Sequence, residues 1–132
     1  MEIRLITSAL PYVNNVPHIG HLVGSHLPAD IFARYNRIKG NITLFIGGTD
    51  EHGTPTELEA IKNNTTPEKI TDFYYKIHKE IYDWFGISYD NFSRTSKSKI
   101  HYEVTQEIFL QIFRNGYIIE KEQELPYDPK WG

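Results

Sequence analysis

The chain has 132 residues, a formal net charge of −3 and no cysteine. A hydrophobic content of 39%, with 14% aromatic residues, is typical of a globular chain that buries its own core. The charge excludes a general electrostatic affinity for nucleic acid or anionic membranes. The lack of cysteine excludes disulfides and thiolate metal ligands within these residues.

The amino terminus, MEIRLITSAL, leads directly into a strand-like run. It lacks the basic leader and apolar stretch of a signal peptide, and no stretch reaches the length of a membrane span. We therefore expect a cytoplasmic protein that makes no contact with a membrane.

The first predicted strand begins at Ile3 and ends near Ser8. A loop with prolines and asparagines follows, and a helical pattern then runs from about 18 to 39. Its apolar face comprises Leu22, Ala29, Phe32 and Ala33. Pro28 lies inside this helix and is expected to kink or divide it. The next strand, ITLFI at 42–46, is almost entirely apolar, which is typical of a parallel sheet covered on both faces.

A longer helix is predicted to begin at Thr66, a typical cap residue followed by Pro67, and to end at Gly86. Its apolar face is predicted to comprise Ile70, Phe73, Ile77, Ile81 and Trp84. DNFSRT, at 90–95, is a candidate third strand, and a last helix is expected from about 97 to 114.

Strands and helices that alternate in this order predict an α/β fold with parallel strands. In such folds ligands bind outside the carboxyl ends of the strands. Two unusual stretches occupy that position: SALPYVNNVPHIGH, at 8–21, follows the first strand, and GGTDEHGT, at 47–54, follows the second. We therefore expect a binding site where these two loops meet.

His18 and His21 fall in the first turn of the first helix, so that both side chains point to about the same side. A helix amino terminus carries free N–H groups and a partial positive charge that favour phosphate. Gly20 leaves room for a base or ribose at the backbone. Two imidazoles placed here can stabilise the negative charge that develops when a carboxylate attacks the α-phosphorus of a nucleotide.

Other interpretations of the two histidines stay open on the residues alone. The pair could form half of a metal site, although we expect no metal in this chain. The side chains that could complete such a site are His26, Asp50, Glu51 and His52. The pair could also be ordinary core or surface histidines at a helix end.

The stretches ALPYVNNVPHIGH and GTDEHGT, in this order and at this spacing, resemble signatures of the class I aminoacyl-tRNA synthetases. SALPY before the HIGH element and the later GTDEHGT resemble the methionyl group of that family. PADIFARY, GISYDNF and the late YDP extend the resemblance over nearly the whole chain.

The resemblance implies a role for each matching residue. The ATP-binding residues correspond to Asn14, His18, Gly20 and His21, of which the two histidines are implied to be catalytic. The methionine pocket corresponds to Ala9, Leu10, Tyr12 and Asp50, and His52 is implied to orient Asp50.

Elementary chemistry is consistent with the methionine pocket. A carboxylate such as Asp50 suits an ammonium in a partly dry cleft, and an aromatic wall such as Tyr12 suits a polarisable thioether. Without the resemblance, Asp50 could merely cap the following segment, and Leu10 and Tyr12 could be core residues.

The resemblance also implies an activity. Methionine would be activated by ATP, with Mg²⁺ on the phosphates, to methionyl-adenylate, and the methionyl group would pass to tRNA(Met). Residues 1–115 are expected to form the first half of a Rossmann-like catalytic domain, and 116–132 the start of an inserted connective region. The second signature with its lysines, the main tRNA contacts and any Zn²⁺ site would then lie in a remainder of the synthetase outside this sequence.

Two other functions stay open. The chain could be a noncatalytic module that binds methionine or a nucleotide, or one subunit of a split enzyme. It could also belong to a leucyl, isoleucyl or valyl synthetase of the same class.

Two stretches depart from the family pattern. Val13-Asn14-Asn15 stands where the family commonly has Ala-Asn-Gly, and asparagine is the best substitute for glycine if that loop needs a positive φ. TSKSK, at 95–99, faintly resembles the second signature but lacks its methionine and lies too early in the chain. Thr95 and Ser96 are instead predicted to cap the following helix.

Overall fold

Three parallel strands form one sheet in the order β1-β2-β3, in a computed structural model that describes residues 1–124. The strands are β1 (Ile3–Thr7), β2 (Ile42–Thr49) and β3 (Asn91–Arg94). Ile6 of β1 lies opposite Phe45 of β2, and Gly47 of β2 lies opposite Phe92 of β3. The predicted α/β fold with parallel strands is confirmed.

The helices connect these strands in the predicted order. They are α1 (Ile19–His21), a π-helical turn (Leu22–His26), α2 (Leu27–Ile38), α3 (Thr54–Lys62), α4 (Pro67–Trp84) and α5 (Lys99–Arg114). The Thr66 side chain accepts a hydrogen bond from the Lys69 N–H (3.4 Å) at the start of α4, and Gly86 takes a φ of 65° just beyond its end. Both predicted boundaries of this helix are therefore confirmed.

Pro28 divides the first helical segment, as expected. A proline has no N–H to donate to the carbonyl four residues earlier. The helix widens just before it, since the Leu27 N–H donates to the Leu22 carbonyl, five residues back. Pro28 thus falls in the first turn of α2, where a missing N–H costs nothing.

One face of the sheet carries the core. Its fully buried apolar cluster comprises Ile6, Leu22, Ala33, Phe45, Tyr82 and Ile87. The other face is open: Ile3 and Leu5 of β1 lie beside Ile42 and Leu44 of β2, and these side chains are 49–81% exposed. The expectation that β2 is covered on both faces is therefore wrong for this chain, in which both long helices that contribute to the cluster lie on one side.

Two helix faces also differ from the apolar pattern. Phe32 of α2 is 50% exposed, and Phe73 and Trp84 of α4 are 59% and 81% exposed. The buried residues of α4 are Ile70, Thr71, His78 and Tyr82. Polar aromatic side chains take the inner face because they satisfy one another with hydrogen bonds, which an apolar pattern does not register.

The chain divides into two compact units, Met1–Ser98 and a second that begins at Lys99. In the second unit, α5 stacks Phe109 and Phe113 with ring centroids 6.4 Å apart. The boundary expected between 115 and 116 stays a prediction, and residues 125–132 lie outside the described part. None of the helices in residues 1–124 combines the length and apolar character that crossing a bilayer requires.

Lowering the pH is expected to destabilise the fold through His26, which is 1% exposed. Burial, with smaller contributions from His21 and His78, lowers its pKa from 6.5 to about 4. The unfolded chain therefore takes up a proton before the folded one does, so stability is full above pH 6.5 and is lost as the pH falls toward 4. Between about pH 7 and pH 5, His26 should account for a loss of about 2 kcal/mol in the free energy of unfolding.

Urea denaturation at the two pH values measures this loss. In His26→Gln, the loss of unfolding free energy between the two pH values should be smaller by the contribution of His26. His101→Gln, at an exposed site, should show the same loss as the wild type. An equal loss in the wild type and in His26→Gln would contradict the prediction.

Candidate functional site

Two loops meet at one edge of the sheet because β1 and β2 are parallel and end side by side. Beyond the strands, the Asp50 N–H donates to the Pro11 carbonyl (2.9 Å), and the Val13 N–H donates to the Asp50 carbonyl (3.3 Å). Tyr12 and Asp50 therefore form a parallel bridge of their own. The structure thus brings together residues from both of the predicted site loops.

Leu10 and Tyr12 lie beside the backbone around Asp50. A Cβ at Gly48 would lie 3.3 Å from Leu10 Cδ2 and 2.8 Å from the Ser93 carbonyl oxygen, so only glycine fits between them. Gly53, at a φ of 112°, lies close to the Tyr12 ring. Leu10 and Tyr12 are 54% and 48% exposed, which contradicts the interpretation of these two as core residues.

The Asp50 carboxylate is oriented by the chain that follows it. The backbone N–H of His52 donates to Asp50 Oδ1 (3.3 Å). Sequence reasoning expected His52 to orient Asp50, and this contact is made by the main chain. Asp50 itself is half-buried, so it is neither part of the core nor fully exposed to solvent.

Glu51, the next residue, holds this loop in place through a buried ion pair. Its side chain is fully buried and accepts a hydrogen bond from Arg94 Nε at the end of β3 (2.6 Å). Arg94 also donates to Asp72 of α4 (2.7 Å). Burial alone would lower the pKa of Arg94, but the hydrogen bonds to these two carboxylates raise it, so the guanidinium stays charged. The ion pair fixes the backbone on which Asp50 stands.

His18 and His21 form a stacked pair at the start of the first helix. Their ring centroids are 3.8 Å apart with an angle of 15° between the planes. The backbone N–H of His18 donates to Nδ1 of the His21 ring (3.2 Å). If that ring is neutral, its own proton is therefore on Nε2. Burial and the nearby His18 lower the pKa of His21. The two rings therefore lie together on one side of the helix start, as their spacing predicted.

Gly20 has a second reason to be glycine. A Cβ there would lie 2.9 Å from His18 Cε1. Any other residue would push the His18 ring out of the stack. The close approach of the His18 ring thus requires glycine at this position.

The loop that connects β1 with α1 is held by hydrogen bonds at two points. The Ala9 N–H donates to Ser25 Oγ in the π-helical turn (2.9 Å), and the Asn15 carbonyl accepts a hydrogen bond from His78 Nε2 (2.7 Å). Asn14 lies half-buried between these ties. Asn64, outside this loop, is the non-glycine residue with a positive φ in residues 1–124, so Asn14 and Asn15 do not need the left-handed conformation.

One further expectation is corrected. Thr95 Oγ1 accepts a hydrogen bond from the Glu51 N–H (2.9 Å), and Ser96 Oγ donates to the Glu51 carboxylate, so both residues hold the site loop, and α5 begins only at Lys99. As for a metal, no group of three histidine, aspartate or glutamate side chains within residues 1–124 is arranged to hold one. The two-histidine half-site is therefore not completed in that part of the chain.

Sequence reasoning missed the supporting residues Glu51, Arg94 and His78. The sequence indicates Glu51 only as a possible metal ligand and His78 only as a structural or surface residue. Their partners are 43 and 63 residues away along the chain, so no local pattern predicts the contacts. The one available signal is an arginine near the end of the third predicted strand.

A family model described as tRNA synthetases class I (M) matches residues 4–132. The chain therefore belongs to the class I tRNA synthetases of that family.

Two of its relatives are methionine–tRNA ligases. The methionine–tRNA ligase of Borrelia duttonii is 55% identical over 92% of this chain, and that of Nanoarchaeum equitans is 51% identical over 96%. The chain spans only 16% of the length of each of these relatives. Among solved structures, Mycobacterium tuberculosis methionyl-tRNA synthetase in complex with methionyl-adenylate matches with a TM-score of 0.84 and 27% identity, over 88% of this chain and 22% of that chain.

Removing the Arg94 cation should destabilise the fold strongly. Arg94→Met leaves Glu51 buried without its cationic partner, which typically costs about 3 kcal/mol or more. Urea denaturation at neutral pH measures the loss, and Arg94→Met combined with Glu51→Gln should recover part of it.

The matched control is Lys79→Met, which breaks an exposed ion pair with Asp83 on α4. Exposed pairs on helices contribute about 0.5 kcal/mol, so this variant should unfold almost like the wild type. If the two single variants lose equal stability, the anchoring role of Glu51 is wrong.

Proposed function

We propose that this chain carries the methionine- and ATP-binding part of a methionine–tRNA ligase. The observation that carries the proposal is the Tyr12–Asp50 bridge, which joins the loop leading to the histidine pair with the loop holding the carboxylate. The names of the relatives support the same activity. Methionine, ATP and tRNA(Met) are then the substrates.

The amino acid binds around Asp50 in this proposal. Its ammonium pairs with the Asp50 carboxylate and the backbone at Leu10, while Tyr12 closes over the thioether and Ala9 lines the pocket. The half-exposed Leu10 and Tyr12 support this, because their side chains remain available at the surface of the cleft. Charged hydrogen bonds to the ammonium then fix the carboxylate of methionine for attack.

ATP, as its Mg²⁺ complex, binds at the start of the first helix. Asn14 and Gly20 approach the nucleoside, and His18 and His21 donate to the phosphates. The methionine carboxylate attacks the α-phosphorus, the bond to the bridging oxygen breaks, and pyrophosphate leaves. The histidine N–H groups stabilise the added negative charge, and one such donor contributes on the order of 3 kcal/mol.

The methionyl group then passes to the terminal adenosine of tRNA(Met). With a net charge of −3, this chain does not supply the main electrostatic attraction for tRNA, so those contacts belong to a remainder of the synthetase. A zinc site built on cysteines would also belong there, since this chain has none. We place the reaction in the cytoplasm, which the name of the Arabidopsis thaliana relative states for that protein.

Two variants should separate chemistry from methionine binding. His21→Ala should lower the rate of methionine-dependent ATP–pyrophosphate exchange about 100-fold and leave the Kd for methionine nearly unchanged. Asp50→Asn should instead raise that Kd about tenfold or more, because a charge-assisted hydrogen bond is lost. Both measurements use the full-length protein from its source cells. Exchange kinetics give the rate, and calorimetric titration gives the Kd for methionine.

His101→Ala on α5 is the control and should behave as the wild type in both assays. Binding of methionine and ATP without exchange would favour a noncatalytic module. Competition by leucine or isoleucine would favour another synthetase of the class, since apolar pockets discriminate by only about 1–3 kcal/mol per methylene.

A further inference from the structure

A row of polar side chains crosses the core between α4 and the loop that precedes the histidine pair. Its members are Ser8, Tyr89, His26, Tyr82 and His78. His26, Tyr82 and His78 are at most 1% exposed. Each of their polar atoms therefore depends on a protein partner.

The contacts form an unbroken series. Ser8 Oγ lies 2.7 Å from the Tyr89 hydroxyl, which lies 2.6 Å from His26 Nδ1. His26 Nε2 lies 3.0 Å from the Tyr82 hydroxyl, which lies 3.5 Å from His78 Nδ1. His78 Nε2 lies 2.7 Å from the Asn15 carbonyl oxygen.

The Asn15 carbonyl sets the direction of every hydrogen bond in the row. A carbonyl only accepts, so His78 Nε2 carries the proton and His78 Nδ1 accepts from Tyr82. The Tyr82 oxygen then accepts from His26 Nε2, and His26 Nδ1 accepts from Tyr89. Ser8 donates to the remaining lone pair of Tyr89. Burial lowers the pKa of both histidines, which is consistent with neutral rings that carry one proton each.

Both ends of the row lie in one loop. Ser8 directly follows β1, and Asn15 lies seven residues later, just before the histidine pair. Leu10 and Tyr12 lie between them in this loop. In the middle of the row, His26 belongs to the π-helical turn, and Tyr82 and His78 belong to α4.

We propose that this directional row of hydrogen bonds holds both ends of the 8–15 loop in place and that Tyr82, at its centre, is a positioning residue for methionine activation. This rests on the proposed function for its activity readout. Tyr82 is not one of the predicted substrate-binding residues. It acts through His26 on the start of the loop and through His78 on its end. Loss of the hydroxyl leaves two buried imidazole nitrogens without partners.

The protonation pattern can be read without any substrate. Nitrogen-15 NMR of histidine side chains at neutral pH should show His26 and His78 neutral, both with the proton on Nε2. A proton on Nδ1 of either ring, or a charged ring, would overturn the proposed direction.

The second experiment compares two tyrosine hydroxyls on α4. Tyr82→Phe should lower kcat/KM for methionine in the exchange assay at least about tenfold, with an increase in KM, because a misplaced loop misaligns the reactants. Tyr74→Phe, which keeps a ring packed against Phe73 at a half-buried site outside the row, should stay within about twofold of the wild type. Both variants are assayed at a temperature at which circular dichroism shows that they are folded. An equal kcat/KM for Tyr82→Phe and Tyr74→Phe would overturn the role of Tyr82.

Hydrogen exchange separates this proposal from the proposed function. The Ala9 and Val13 amides, which are hydrogen-bonded in the structure, should exchange faster in Tyr82→Phe than in Tyr74→Phe. If the wild type shows no methionine-dependent exchange of pyrophosphate, the proposed function fails while this comparison still tests the row. Unchanged amide exchange in Tyr82→Phe would refute the positioning role.

Discussion

Parallel pairing of β1 with β2 is the constraint on which the rest of the site depends. Parallel strands must end at the same edge, so the loops after Thr7 and Thr49 emerge side by side. The pairing then continues for one more step in the Tyr12–Asp50 bridge. A one-residue slip in register would separate Pro11 from the Asp50 N–H and dissolve that bridge.

Support for this edge comes from two different kinds of interaction. Below Asp50, the ion pair of Glu51 with Arg94 ties the end of β2 to the end of β3. Behind the other loop, neutral hydrogen bonds through His26 and Tyr82 reach α4. The charged groups at the sheet edge are paired with each other. The core contains neutral polar groups, because an unpaired charge buried there would lower the stability of the fold.

Local sequence signals predicted the elements, and the family resemblance implied the candidate site residues, but neither predicted which contacts hold them in place. The cap at Thr66 and the proline at 28 act within one turn of the chain, so their effects follow from the residues alone. The exposure of Phe32 and Leu44 does not, because it depends on which faces of a helix or sheet the rest of the chain covers. Glu51 and His78 needed partners far away in sequence, which only the folded chain brings near.

The π-helical turn at Leu22–His26 carries one residue more than the same stretch of α-helix needs. Each α-helical residue turns the chain by about 100° and advances it by about 1.5 Å. The wide turn takes up its extra residue by unwinding locally, so deleting one residue among Val23–Ser25 would leave a regular helix with His18 and His21 at nearly the same angle to α2. Such a deletion would instead displace residues of the turn itself, among which Ser25 accepts from the Ala9 N–H and His26 joins Tyr89 to Tyr82.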